Sequence, residues 1–319
     1  MLKAPRFWYQ RSISFFSILL LPASLLWFLG SFLKKKLSKV KKFDLPIVAV
    51  GSAMIGGSGK TPSVLFLCEQ LKNMGYKPHI ISKGYGGSAS ETIKVSEDMD
   101  YNLVGDEALM MSKYYPTWIS KNKFNAFPLA KKDGADILVL DDALQTYSVY
   151  KNLSVYVYDS IQAFGNKLLI PSGPLRETLK EVIKKSQIFF LINTDHCEEL
   201  KDIPNQIKLK YQIEISNDLI EKKLFAFAGL GFNKKFFDQL KSENLNIIAV
   251  KEFPDHHKYS VDDIFKLLDE ANKNDSYLIT TEKDHMRIPR EFKSSVGIIY
   301  GKIILSDDLN IADTIEKYI

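Results

Sequence analysis

The sequence predicts an α/β fold: two α/β lobes with mainly parallel sheets, preceded by an N-terminal apolar helix. Three observations predict it. Short β-branched runs alternate with amphipathic stretches along the body, the pattern of parallel strands joined by right-handed crossovers. A glycine-rich turn separates the first such strand from the first helix, and an uncharged apolar run precedes both. At 319 residues, 45% hydrophobic and 25% charged, the chain can bury a sizeable core.

The apolar run is Ile13 to Leu33, 21 residues without a charge, about what a spanning helix needs. Trp8, Tyr9 and Trp27 suit the headgroup level. Residues 1–42 carry nine Lys or Arg (Lys3, Arg6, Arg11, Lys34, Lys35, Lys36, Lys39, Lys41, Lys42) and no acid. The remainder is net acidic, with 34 basic against 38 acidic residues. The basic excess is thus local. It argues for a segment facing anionic lipid and against nucleic-acid binding. A cleaved export signal would have a shorter apolar region and a small-residue cleavage site. A single span, a helix lying in the interface and a buried core helix all remain open on the residues alone; Pro22, Gly30 and the serines weaken the span. Cys68 and Cys197 are far apart and in no metal-ligand spacing.

Past the flank, Pro46–Gly51 reads as a strand, Lys60–Met74 as a helix and Pro78–Ser82 as a second strand. Glu91–Val95 suits an edge strand and Asp106–Tyr115 a helix. Asp136–Leu140 is a buried strand, and Leu153–Tyr158 alternates as another. The pattern then restarts. Helices are expected at Leu175–Lys185, Asn233–Ser242 and Val261–Asn272, with strands at Ile188–Ile192, Leu224–Ala228, Ile247–Val250 and Tyr277–Thr280. So many strands exceed one compact sheet. The expected division is therefore a membrane-associated segment (1–42), a nucleotide-binding lobe (43–152) and a second α/β lobe (153–319) whose last helix returns to the first.

Between the first strand and helix stands GSAMIGGSGKTP, Gly51 to Pro62. Glycines let backbone N–H groups point inward, and the helix N-terminus adds its positive dipole end. The ATP-binding candidates are Ala53, Met54, Ile55, Gly56, Gly57, Ser58, Gly59, Lys60 and Thr61. Lys60 would reach the β- and γ-phosphates, and the Thr61 hydroxyl would bind Mg²⁺. The strict pattern G-x-x-x-x-G-K-[ST] asks for glycine where Met54 stands, so its glycines are shifted to Gly56 and Gly57. A plain Gly-Ser turn before an unrelated helix is the competing reading, but Gly-Lys-Thr in this position favours a P-loop NTPase-like fold.

Such a loop needs a second Mg²⁺-holding group, usually an Asp at the end of a neighbouring strand. Asp141 and Asp142 follow the apolar DILVL run and suit that role. Asp106 opens a helix, where a capping Asp is common. Asp255-His256-His257 could form a carboxylate–imidazole pair able to take a proton from a hydroxyl. A polar surface loop explains it equally well.

Taken in order, these motifs resemble the tetraacyldisaccharide 4'-kinase family, the lipid A 4'-kinases of Gram-negative bacteria, over nearly the whole chain. The loop is close to GNxxxGGTGKTP. Ser82–Gly86 resembles SRGYG, Val104–Glu107 VGDE and Asp141–Gln145 DDxxQ. Ile170–Glu177 resembles LPxGPLRE, Phe253–His257 FPDHH and Thr280–Asp284 TxKD. The resemblance implies ATP and Mg²⁺, with phosphoryl transfer to the 4'-hydroxyl of a lipid A disaccharide 1-phosphate at the cytoplasmic face of the inner membrane. No nucleic acid or protein partner is expected. It implies Asp106 as the base, alone or with His256, and Asp141 and Asp142 as Mg²⁺ ligands. Arg176 and Glu177 would line the cleft near the nucleotide. Lys83, Thr146 and Ser52 depart from the family's Arg, His and Asn. A GTPase rival should carry Asn-Lys-x-Asp; Asn193-Thr194-Asp195 lacks the Lys, and Thr281-Glu282-Lys283-Asp284 lacks the Asn. A non-catalytic binding module would not need Lys60, Thr61, Asp106 and Asp141 intact.

Overall fold

A computed structural model of the chain describes residues 5–10, 12–161, 163–194, 197–307 and 309–319. Lys3 and Arg11 of the basic flank, and Asp195, lie outside the described residues. In chain order the strands are β1 (Ile47–Gly51), β2 (Pro78–Ser82), β3 (Ile93–Val95), β4 (Thr117–Ile119), β5 (Ile137–Leu140), β6 (Leu153–Asp159), β7 (Ile188–Ile192), β8 (Gln206–Glu214), β9 (Leu224–Ala228), β10 (Ile247–Glu252), β11 (Tyr277–Thr281) and β12 (Gly297–Leu305). The helices are α1 (Phe15–Leu19), α2 (Leu21–Leu37), α3 (Lys60–Asn73), α4 (Tyr101–Val104), α5 (Asp106–Ser112), α6 (Lys123–Lys132), α7 (Leu179–Lys185), α8 (Asn217–Ile220), α9 (Asn233–Ser242), α10 (Val261–Lys273), α11 (Glu282–His285) and α12 (Ala312–Glu316).

The strands share one sheet in the order β10-β9-β11-β12-β8-β7-β6-β1-β5-β2-β4-β3. Pairing is parallel except for β3 with β4 and β8 with β12. The mainly parallel α/β order is the expected one. The sheet, however, is continuous where two separate sheets were expected. Strand β12 makes it so: Gly297–Ile299 run parallel to β11, and Tyr300–Leu305 run antiparallel to β8. Strand β6 pairs with β1, so the sheet does not divide near residue 150. We place the division of the lobes at β12 instead. Beyond it, β9 and β11 carry cores of their own on both faces, with Phe236, Phe237 and Leu240 of α9 on one side and Ile264, Leu267 and Ala271 of α10 on the other. Ile311 and Ile315, at the C-terminal helix α12, pack into the core under α3, beside Val64 and Leu67.

Strands β1, β5, β6 and β7 are buried along their whole length, as parallel strands covered on both faces must be.

The N-terminal run is not one helix. It breaks at Leu20 into α1 and α2, with Pro22 in the first turn of α2, where a missing N–H costs nothing. Among the described residues, no helix is long and apolar enough to cross a membrane. Its polarity is reversed relative to a core helix. Ser17 and Ser24 are buried against the body, whereas Phe15, Leu25, Leu26, Phe32 and Leu33 are exposed. Ser24 Oγ donates to the Leu169 carbonyl (2.9 Å) and lies 2.8 Å from Ser172 Oγ, and Trp27 Nε1 donates to the Arg176 carbonyl (3.0 Å).

Candidate active site

The loop after β1 is a cradle with an anchored floor. Gly56, Gly57 and Gly59 all have positive φ, near 70°, 53° and 72°. At Gly59 a Cβ would also stand 2.7 Å from Ile192 Cδ1, so a side chain there would be strained by its φ and would push the end of Ile192 aside. Met54 is buried in the core and pairs with Leu175. The side chain standing where the strict pattern wants glycine thus points inward and fastens the loop. The Arg176 amide donates to the Ala53 carbonyl (2.8 Å), and the Ile55 amide to the Pro174 carbonyl (3.2 Å). Lys60, half-buried, lies back over the loop and donates to Ser58 Oγ (3.3 Å).

Asp141 and Asp142 follow β5, the strand beside β1. Asp141 is buried, and Ser82 donates to it (3.0 Å). Burial, with Glu107 and Asp142 close by, pushes its carboxyl up to about 6, against the pull of Lys123 and Lys60. Asp142 is held down to about 2: burial alone would raise it, but the Lys60 and Arg176 charges and the Arg176 hydrogen bonds prevail. Both its oxygens accept from Arg176, at 2.9 and 3.1 Å.

The site residues do not all face the cleft. Glu177 is buried and takes the Lys185 ammonium and the Gln145 amide. It braces the loop after β5 from beneath.

Asp106 stands on the same lobe as the loop, on α5 beside α3, and meets His256 of the outer lobe. Gly105, at φ 88°, turns the chain into α5; a Cβ there would run into the Tyr85 carbonyl. Asp106 is buried and lies 2.9 Å from His256 Nδ1, although 150 residues separate them in sequence. Burial alone would raise its carboxyl. The His256 hydrogen bond, with the charges of Lys283 and Arg287, holds it at about 2. A carboxylate in this state accepts a proton only as a transient partner in a hydrogen-bonded pair. His256 itself sits at φ 55° on the loop after β10, its ring tilted against that of Tyr85 with centroids 5.4 Å apart.

Two cations of this cluster had no assigned role in the sequence. Arg287, fully buried, places Nε 3.3 Å from Asp106 and donates to the His257 carbonyl (3.1 Å), the Gly229 carbonyl (3.0 Å) and Asp284. Lys283 donates to Glu107 (2.9 Å). The lysine was within the TxKD run; Arg287 had no local signal, since its partners lie on three separate segments.

The two walls meet. A Cβ at Gly231 would lie 3.5 Å from the Gly57 nitrogen. Asp159, at the end of β6, forms a buried ion pair with Lys235 of α9. The loop lysine, the Asp141 carboxylate and the α5 acids therefore lie close together, with the Lys60 charge felt at Glu107 and the Glu107 charge at Asp141. Among the described residues, no cluster of three His, Cys, Asp or Glu side chains forms a cation cage. The Thr61 hydroxyl and the crowded Asp141 carboxylate fit Mg²⁺, which takes one or two protein oxygens and completes its shell with phosphates and water.

A family model described as tetraacyldisaccharide-1-P 4'-kinase matches residues 16–317. The tetraacyldisaccharide 4'-kinase of Gluconobacter oxydans is 33% identical over 313 residues, covering 96% of this chain and 94% of that one. That of Paramagnetospirillum magneticum is 33% identical over 306 residues, 93% of each. The crystal structure of LpxK from Aquifex aeolicus in complex with ATP superposes with a TM-score of 0.76 at 25% identity, covering 95% of this chain and 99% of that one. With the matched segment spanning the loop, both walls of the cleft and the sheet that joins them, this chain belongs to the tetraacyldisaccharide-1-P 4'-kinase family.

Proposed function

We propose that this protein is an ATP-dependent kinase that transfers the γ-phosphate to the 4'-hydroxyl of tetraacyldisaccharide 1-phosphate, a step of lipid A synthesis. The observation that carries this reading is the Asp106–His256 pair facing a phosphate cradle across one cleft. Phosphoryl transfer needs positioning and charge neutralisation more than covalent chemistry. The loop amides and Lys60 bind the triphosphate and spread its developing charge. Thr61 and Asp141 would hold Mg²⁺, which supplies further charge neutralisation when bound. Asp142 keeps Arg176 aligned beside the loop. Asp106 accepts the proton of the attacking hydroxyl, and His256 steadies the carboxylate. Closure of Gly231 onto the loop keeps out water, the competing nucleophile.

We assign the exposed apolar face of α1 and α2 to the membrane surface. A contiguous apolar face flanked by Lys34, Lys35 and Lys36 suits an interfacial helix on anionic lipid. Its place is the cytoplasmic face of the inner membrane, where an acylated acceptor is held in the bilayer.

Incubation with γ-labelled ATP and the disaccharide 1-phosphate in detergent, with and without Mg²⁺, tests the activity. Magnesium-dependent label in the lipid is expected; nucleotide hydrolysis with no labelled lipid would overturn the reading. Flotation with anionic vesicles tests the surface. Leu26→Glu should cut recovery in the lipid fraction several-fold, and equal recovery would remove the face from membrane binding.

A further inference from the structure

Lys283 is a charged group at the Asp106–His256 pair to which the mechanism gives no part, and among the described residues it alone touches the far side of the His256 ring within hydrogen-bond distance. It stands on α11, opposite α5, and reaches into the space between them. Its Nζ lies 2.9 Å from Glu107 and 3.3 Å from His256 Nε2. Burial opposes its charge, but Glu107, Asp106 and Asp255 outweigh burial and keep it protonated. An ammonium has three donors and no lone pair. The contact with Nε2 is therefore a hydrogen bond only when Nε2 is bare.

The other ring nitrogen is constrained in the opposite sense. Nδ1 lies 2.9 and 3.1 Å from the two Asp106 oxygens. That carboxylate is ionised and can only accept. Nδ1 must carry the proton. The two contacts together leave one state of the ring, neutral and protonated on Nδ1.

One competitor is visible. Asp255 Oδ1 is buried without a hydrogen-bond partner and lies 3.8 Å from Nε2. It would accept from Nε2 if that nitrogen carried a proton. Lys283 stands nearer to Nε2, and 3.9 Å from the same Asp255 oxygen. The groups facing the ring are then Asp106 and Glu107 from α5, Asp255 from its own loop, Lys283 from α11, Arg287 just beyond α11, and the Tyr85 ring.

We propose that Lys283 is a positioning residue that fixes His256 as the Nδ1–H tautomer, so that the imidazole donates to Asp106, whose Oδ1, accepting from the Glu107 amide (2.9 Å), keeps a further lone pair for the acceptor hydroxyl. This rests on Asp106 as the proton acceptor. Without Lys283, Nε2 takes a proton and turns to Asp255, and the ring is no longer held in a single state.

The test is ¹⁵N NMR of the full-length protein labelled at histidine, with the His256 signals identified by their loss in His256→Gln. In the wild type at neutral pH, His256 should show a protonated Nδ1 and a bare Nε2. In Lys283→Met, Nε2 should become protonated, and kcat should fall tenfold or more with KM for ATP changed less than twofold. Lys283→Arg, which keeps charge and donors, should retain the wild-type pattern. A wild-type ring protonated on Nε2 overturns the proposal, and that spectrum needs no variant to fold. So does a Lys283→Met spectrum identical to the wild type. The tautomer is read without turnover, so a failure of the kinase reading would show separately, as an Asp106→Asn enzyme that still labels lipid at the wild-type rate.

Discussion

Everything that forms the phosphate cradle comes from one stretch, residues 51–62, whereas the group around Asp106 is gathered from four: the Gly84–Gly87 turn, the start of α5, the loop at His256 and the α11 turn. The cradle is mostly backbone, held by positive-φ glycines and by core burial of Met54. The Asp106 cluster is mostly side chains, held by opposed charges and by the backbone carbonyls that take Arg287. A backbone site depends on which residues are absent, since any Cβ at Gly59 intrudes. A side-chain site depends on every charge having its counterpart.

Substitutions can break this contrast. Lys60→Ala and Asp106→Asn should each lower kcat/KM by roughly 10³-fold. They should differ in kind: Lys60→Ala raises KM for ATP, whereas Asp106→Asn leaves ATP binding near wild type. Steady-state kinetics with ATP varied checks this, and equal KM changes in both would dissolve the distinction. Gly59→Ala should weaken ATP binding by about 10- to 100-fold through strain and the Ile192 clash. Calorimetric titration with ATP measures it.

Lys235→Met probes the seam between the walls. It leaves the Asp159 carboxylate buried without its partner, at a cost of about 3–5 kcal/mol. Urea denaturation should show it. The smallest effect sharpens the contrast on the cradle side. Burial, with Lys185 close by, lowers the Lys151 ammonium to about 7 from its ordinary 10.5. Between those values the unfolded chain binds more protons, so stability rises with pH and is lost as pH falls towards 7. The Tm of the wild type should therefore rise relative to Lys151→Met by about 2 °C between pH 7 and 9.5. Parallel melting curves would remove Lys151 from that dependence.

The same contrast explains what was legible in the sequence. The strand–turn–helix around Lys60 could be read because its chemistry is contiguous. Strand β9 and helix α9 appear with the expected bounds, since their periodicity is local. Strands β4, β8 and β12 were missed. β4 has only three residues, and β8 alternates half-exposed and buried positions without a strong apolar run. Helix α6 was hidden by the internal Pro128. The physical reading left Asp106 and His256 open, as a cap and a surface loop. Their pairing spans 150 positions and is decided by tertiary contacts alone. The inward face of Glu177 was equally invisible, because Lys185 and Gln145 meet it only after folding.

Strand β12 has one further implication. The outer lobe joins the body at two places, the segment between β8 and β9 and the middle of β12 itself. The two crossings lie side by side, since Glu214 at the end of β8 pairs with Tyr300 of β12, and together they define a line. Rocking about that line would move Gly231 and His256 together, towards or away from Gly57 and Asp106. On the proposed roles of the loop and of Asp106, nucleotide enclosure and assembly of the proton acceptor would then be a single mechanical event. A wedge at Tyr300 or Gly301 would disable both from a point outside the cleft.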